Sequence, residues 1–370
     1  VTNIAWKNLA GDWTRLVISV AGVAFSVVLV LTLRGLLRGV IDEATAYVRT
    51  AGADLWVAQA GIPPDFIQAT SVLPSVAQAD VRVVPGVASV APLLNRSVAF
   101  VSGAKEGDLF LVGADPRTTV GWPARVGRSI PVPQPGQVVV DRVFARHFGF
   151  SAGDVLRVGE RDLVISAVTG GGNAFAYQLG WANLSDVADL LDARAVVSYL
   201  LVEVAEGLGP GEVAERIEQE VPGTQVFTTA ELADRNAENL REGFIPVLWV
   251  LMTVAFVVGT AVIGLIIYTA TIEKQREYGI LKAIGFSNRR LYRIVMQQSV
   301  IAGAGGLVVG CLLSLALGPA IERVVPVFVT DIRLPDIVFV GTGALVMSLV
   351  ASLLPARPVA RLDPAEVFKR

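Results

Sequence analysis

Four long runs without a charged residue dominate the hydrophobic pattern: Leu16–Leu33 (18 residues), Phe244–Ile272 (29), Val300–Ile321 (22) and Ile337–Ala356 (20). A helix needs about 17–25 predominantly apolar residues to cross a bilayer, so each run predicts a span. Between the first and second runs the pattern changes. Short apolar runs closed by Gly, Pro or Asp predict strands at Asp54-Leu-Trp-Val, Val81-Arg-Val-Val-Pro-Gly, Val98-Ala-Phe-Val, Leu109-Phe-Leu-Val-Gly, Gln137-Val-Val-Val, Val155-Leu-Arg-Val-Gly and Asp162-Leu-Val-Ile-Ser. Helical spacing appears at Asp186–Leu191 and Glu212–Val221. The fold class is therefore an α-helical membrane protein with four transmembrane helices, plus an α+β extracytoplasmic domain between helices 1 and 2. The divisions are 1–40, 41–243 and 244–370.

Composition sharpens this picture. The chain is 53% apolar and 17% charged, outside the balance of soluble domains and far from that of disordered ones. Its formal net charge of −2 offers no basic field for nucleic acid, and one Cys with one His gives no disulfide framework and no zinc site. Basic residues gather at Lys7 and Arg15, at Lys274, Arg276, Lys282, Arg289, Arg290 and Arg293, and at Arg357, Arg361, Lys369 and Arg370. The positive-inside rule puts both termini and the 273–298 loop in the cytoplasm and segment 41–243 outside. The first run is too long for a signal-peptide core and is read as a retained span. Arg34–Thr50 and Thr229–Glu242 contain few helix breakers, which predicts that spans one and two continue outward as a helical pair.

Inside the spans there is no Asp, Glu, Lys, Arg or His. Intramembrane ionisable residues mark ion pathways, proton relays and gating charges, so those functions are disfavoured. Ala302, Gly306, Gly310, Ser314 and Gly318 form a small-residue stripe four residues apart, with Cys311 beside it as a packing residue. Such a stripe suits a close helix seam, either between two copies or within one subunit. His147 lacks a nucleophile arrangement around it, and Trp122, Phe175, Tyr177 and Trp181 read either as core or as an apolar contact surface. Gly170-Gly-Gly-Asn reads as a loose exposed loop, since no Lys-Ser or Lys-Thr follows to make a phosphate loop, and Pro131-Val-Pro-Gln-Pro-Gly as a loop or subdomain boundary.

The most specific passage is Glu273-Lys-Gln-Arg-Glu-Tyr-Gly-Ile-Leu-Lys-Ala-Ile-Gly-Phe-Ser-Asn-Arg-Arg, a charged start followed by Ile280, Leu281, Ile284 and Phe286 among small residues. From the residues alone this is a short amphipathic helix after a membrane helix. The run resembles the MacB/FtsX-like permeases of ABC transporters, as does the tail Leu354-Pro-Ala-Arg-Pro-Val-Ala-Arg-Leu-Asp-Pro-Ala-Glu-Val. The lead-in from Ala5-Trp-Lys-Asn-Leu to Ala53-Asp-Leu-Trp-Val is similar to the DevC-like branch, which works with a membrane-fusion partner. The resemblance implies a bacterial plasma-membrane homodimer bound to two copies of a separate ATPase subunit. It implies that Glu273, Arg276, Glu277, Gly279, Lys282, Ala283 and Gly285 form a coupling helix facing that subunit. It also implies that Arg357, Arg361, Asp363 and Pro364 lie at the cytoplasmic membrane edge. Pro358 departs from the family pattern and predicts a shortened last helix.

No Walker motif is present, so ATP and Mg are expected on the partner and no catalysis on this chain. Two functions remain. One is an exporter or extractor of an amphipathic cargo such as a lipid, lipoprotein, peptide or drug; the other is an FtsX-like transmitter that activates an outer hydrolase or sensor.

Overall fold

A computed structural model describes residues 13–174, 177–273, 276–277, 280, 282, 284 and 287–360. In chain order the elements are α1 (Trp13–Thr50), β1 (Leu55–Gln59), β2 (Leu73–Pro74), α2 (Ala77–Arg82), β3 (Val87–Ser102), β4 (Lys105–Ala114), β5 (Gln137–Asp141), α3 (Arg142–Phe148), β6 (Val155–Val158) and β7 (Arg161–Thr169). Then follow β8 (Asn173–Ala174), β9 (Tyr177–Asn183), α4 (Leu184–Leu190), β10 (Val196–Val197), β11 (Tyr199–Val204), α5 (Pro210–Glu220), β12 (Thr224–Thr228), α6 (Thr229–Glu273), α7 (Asn288–Val324) and α8 (Leu334–Ala360). The chain divides into two compact units. A membrane unit contains 1–38, 244–321 and 330–370, and an outer unit contains 39–243 and 322–329.

Four helices of the membrane unit, α1, α6, α7 and α8, carry stretches long and apolar enough to cross a bilayer. With lipid tails as apolar as Leu, burial supplies little drive for helix association, so close van der Waals approach has to hold these helices together. The contacts follow that requirement. A Cβ on Gly22 would lie 2.7 Å from Val262 of α6, and the Ser26 hydroxyl of α1 donates to the Ala255 carbonyl of α6 at 3.1 Å. Pro246 sits within α6 without ending it. The helix α8 likewise continues to Ala360, two residues past Pro358, so the expected shortening at Pro358 does not occur. A proline that removes one backbone donor kinks or weakens a helix, and these helices accommodate it.

In the outer unit, one sheet runs β12-β1-β11-β3-β4-β9-β5-β7-β6, and β6 also pairs with β3 to close the last six strands on themselves. Period-2 alternation assigns the faces. Leu55 and Val57 of β1 and Leu200 and Val202 of β11 pack under α2 and α5 with Val81, Val213 and Ile217. Trp56, Leu201 and Tyr199 point the other way, into an aromatic core with Tyr47, Phe66, Trp122 and Trp181. The closed strands hold a third cluster around Phe100, Leu109, Phe144 and Val138. The β3–β4 hairpin turns through Gly103 at φ +61°, the sign such two-residue turns require.

Three local expectations are corrected. Val81–Gly86 is the end of α2 and a turn into β3, not a strand. Ala77, Val81 and Val84 are buried along one helical face, and Pro85 with Gly86 ends that face. The predicted helices at Asp186–Leu191 and Glu212–Val221 begin two residues earlier, α5 opening on Pro210 at its first turn. Gly170–Asn173 is no loose exposed loop. Gly172 and Asn173 are buried, the Gly172 N–H donates to Asp141 Oδ2 at 2.9 Å, and Asn173 Nδ2 donates to the Val327 carbonyl at 3.0 Å. A side chain on Gly172 would collide with Trp181, so the run is glycine-rich because the backbone approaches closely there.

Candidate functional site

The charged segment after α6 begins at Glu273, its last residue. Arg276 and Glu277 are helical and exposed, and Lys282 is half-buried. Ile280 and Ile284 stand 40% and 73% exposed, joined by a helical hydrogen bond from Ile284 N to the Ile280 carbonyl at 3.0 Å. The described positions from Arg276 to Ile284 thus present two isoleucines and two opposite charges outward. Gly279, Ala283 and Gly285 lie outside the described residues. At the other end the α8 backbone includes Arg357, while Arg361, Asp363 and Pro364 also lie outside the described residues.

The small-residue stripe of α7 is occupied within the chain. A Cβ on Gly310 would meet Val27 Cβ of α1 at 2.6 Å and the Ala24 carbonyl at 3.0 Å, and Gly306 fits against Val23 in the same way. Ala302 and Ser314 are buried beside them, Ser314 Oγ donating to the Gly310 carbonyl at 2.9 Å, and Gly318 fits against Thr330. Val23 and Val27 are four residues apart, so one valine ridge of α1 fills one glycine groove of α7. Cys311 is partly buried against this cluster.

One polar cluster in the membrane unit has no precedent in the sequence pattern. Asp336, 1% exposed in the first turn of α8, receives Arg34 Nε at 3.1 Å and Arg38 Nη1 at 2.7 Å, both from α1. Arg34 meets Oδ1 and Arg38 Nη1 meets Oδ2, and Oδ2 also accepts from the Arg333 N–H at 3.2 Å. The Arg34 guanidinium additionally lies 4.3 Å from the centre of the Phe339 ring. Because Arg34 follows the first apolar run and Asp336 precedes the fourth, only a shared end of the helix bundle could have suggested the pair.

In the outer unit the most perturbed carboxyl is Asp141. It ends β5 and caps α3 by accepting from Val143 N at 2.7 Å, while Gly149 closes the helix at φ +65°. Burial pushes its pKa up to about 6, against the lowering effect of the Val143 and Gly172 N–H groups; Glu43 adds to the rise and Arg142 opposes it. Arg142 itself is paired with Glu43 of α1. Elsewhere Arg117 grips Asp115 through two nitrogens and holds that carboxyl below its ordinary range. Trp122 and Trp181 are core residues, Tyr177 is 38% exposed, and Phe175 lies outside the described residues. His147 is exposed on α3 against the edge of Phe148, an arrangement without a nucleophile. Among the described residues no group of three His, Cys, Asp or Glu side chains is placed to hold a metal.

Two family descriptions match the chain. Residues 16–220 match the MacB-like periplasmic core domain, and residues 249–364 match the FtsX-like permease C-terminal domain. The chain is an ABC transporter permease of the MacB/FtsX-like family. This permease is 28% identical over 376 residues to the Mycobacterium tuberculosis protein named Uncharacterized ABC transporter permease Rv2563, covering 99% of this chain and 97% of that one. A shorter likeness, 29% over 116 residues, joins it to the lipoprotein-releasing system transmembrane protein LolC of Xylella fastidiosa, covering 26% of this chain and 28% of LolC. Among solved structures, the periplasmic region of MacB from Actinobacillus actinomycetemcomitans covers 52% of the permease at 12% identity and a TM-score of 0.34, and 95% of that chain. As a permease, the chain is a membrane protein whose class works with an ATPase subunit.

Proposed function

We propose that this permease carries ATP-driven movement from a cytoplasmic ATPase to its outer unit, and that this movement exports or extracts an amphipathic cargo outside the spans. The observation that carries the reading is the dryness of the helix bundle: the four apolar runs contain no ionisable residue, and the α1–α7 seam is closed by valine on glycine. A path for a polar solute would need polar lining. The helices α1 and α6 span 38 and 45 residues, more than a bilayer requires, which supports their role as levers.

In this reading the termini and the 273–298 segment are cytoplasmic. Glu273, Arg276, Glu277, Gly279, Lys282, Ala283 and Gly285, with the exposed Ile280 and Ile284 beside them, face one of two ATPase copies, which hold ATP and Mg. The working form is a homodimer in the bacterial plasma membrane, with an outer partner such as a membrane-fusion protein. A second reading, transmission to an outer hydrolase or sensor without transport, is favoured by the burial of Trp122 and Trp181, which removes two of the four aromatics from any cargo surface.

The test is co-purification and ATP turnover with the partner ATPase. The chain alone is expected to turn over no ATP. Glu277→Arg and Gly285→Leu are expected to insert normally yet lose the complex or its stimulated turnover by about tenfold or more, the equivalent of about 1.4 kcal/mol at the groove. A helix lying on lipid would instead gain from both changes, in added apolar area and added positive charge. Wild-type complex formation by both variants would overturn the coupling assignment.

A further inference from the structure

The membrane unit contains an apolar cleft of about 500 Å³ between α1, α6 and α8. Val27 and Val30 form one wall, Phe256 a second, and Phe339 and Met347 a third, with the exposed Trp249 at its rim. That volume falls within the range of about 300–1,000 Å³ common to small-molecule sites. Along α1 the cleft leads from Val30 to Arg34 and Arg38, each one helical turn further on. Arg34 covers the Phe339 ring that lines the cleft. Two guanidiniums share the single carboxylate of Asp336, and each remains about a quarter exposed, at 29% and 26%. Nearby Arg333 pairs with Asp331 at 2.6 Å, so that pair adds no net charge. An apolar slot therefore ends at two partly exposed guanidiniums.

We propose that this cleft binds one acyl chain of an anionic phospholipid, with the lipid phosphate held by Arg34 and Arg38. The chain itself supplies little selectivity, because leaving surrounding lipid for an apolar slot removes no surface from water. Selection therefore rests on the headgroup. A zwitterionic headgroup carries its own cation beside the phosphate, whereas an anionic one leaves the phosphate charge to the guanidiniums. A second copy of the permease related by two-fold symmetry would bring the same two arginines rather than an anion. A guanidinium pair, by contrast, matches phosphate oxygens in geometry and charge. The site does not depend on cargo, and its failure leaves the proposed transmission function untouched.

The test uses the full chain in nanodiscs of equal parts palmitoyl-oleoyl phosphatidylglycerol and phosphatidylcholine, followed by washing in detergent and native mass spectrometry of the retained lipid. The wild type is expected to keep one lipid per chain, with phosphatidylglycerol favoured about fivefold, the effect of one basic side chain at an anionic headgroup. Arg38→Gln leaves Asp336 paired with Arg34 and removes one of the two guanidiniums; it is expected to retain the fold and lose the preference. Gly343 lines the cleft and nothing lies within 4 Å of its would-be Cβ, so Gly343→Leu fills the slot without a clash and is expected to release both lipids. Equal retention of the two lipids by the wild type, an unchanged preference in Arg38→Gln, or lipid kept by Gly343→Leu would each overturn the site. So would disulfide formation between two copies of Phe256→Cys in a Cys311→Ser background, which would seat a second permease in the cleft.

Discussion

The outer unit is packed with rings: Trp56 sits 5.5 Å from Phe66 and 5.7 Å from Tyr199, centre to centre, and Tyr47 sits 5.5 Å from Trp181. The membrane unit is packed with glycines, Gly22, Gly306 and Gly310 receiving valines from neighbouring helices. Their buried carboxylates differ as well. Asp141 is held by backbone N–H groups with its charge uncancelled, whereas Asp336 is met by two arginines. Solvent explains the contrast. Water rewards removing large aromatic area in the outer unit, while lipid rewards only close approach and leaves no water to share an unpaired charge.

Three substitutions or conditions probe this contrast, beginning with the largest effect. Trp56 is fully buried, and its ring nitrogen donates to Thr229 Oγ1 at 3.1 Å. Trp56→Ala is expected to cost the outer unit about 3–5 kcal/mol, read as a lowered melting temperature of the full chain in detergent by near-UV circular dichroism. A loss under about 1 kcal/mol would mean that the ring cluster is not the core of that unit.

Asp141 gives a pH dependence of definite sign. Its folded pKa of about 6 exceeds the ordinary value of 3.8, so the folded state binds the proton more tightly. The associated stability is fully present below about pH 4 and is lost as pH rises through about 6, on the order of 3 kcal/mol across the window. Asp141→Asn removes that slope, though it also sets an amide donor against one of the two N–H groups. Melting temperature measured from pH 4 to 7 checks both statements; equal slopes in wild type and variant would contradict the assignment.

The smallest of the three lies in the membrane unit. Gly310→Leu drives side-chain atoms into Val27 and the Ala24 backbone, where overpacking typically costs about 1–3 kcal/mol. The expected readout is lower yield and faster inactivation of the folded chain in detergent. Val308→Leu on the same helix, at a position 59% exposed, serves as the matched control. Equal behaviour of the two variants would break the glycine side of the comparison.

The same physical contrast decides what the sequence made legible. The spans announced themselves because lipid demands uninterrupted apolar runs, and the strands at Asp54–Val57, Leu109–Gly113 and Gln137–Val140 did so through Gly, Pro and Asp closures. The strands β9, β11 and β12 were missed. Tyr177–Asn183 is buried at nearly every position, with Gly180 against Leu109, and so shows no alternation to read. The Gly170–Asn173 clamp looked loose because glycine signals both freedom and close approach, and only the position of Trp181 separates the two. The Arg34–Arg38–Asp336 cluster is legible only through the topology that brings the end of the first run to the start of the fourth, since the arginines stand about 300 positions from Asp336. The 273–298 segment is the reverse case: its motif is explicit in sequence, while Gly279, Ala283 and Gly285 lie outside the described residues.

The central claim is that the coupling segment and the outer unit lie on opposite sides of the membrane, so that movement has to pass along α1 and α6. Ser287 and Thr119 are both exposed, one beside the coupling segment and one in the outer unit. Single cysteines at these positions, in a Cys311→Ser background, are to be probed in intact cells with a membrane-impermeant maleimide. The account predicts that Thr119→Cys is labelled from outside and Ser287→Cys only after the membrane is opened. Labelling of both from outside would contradict it.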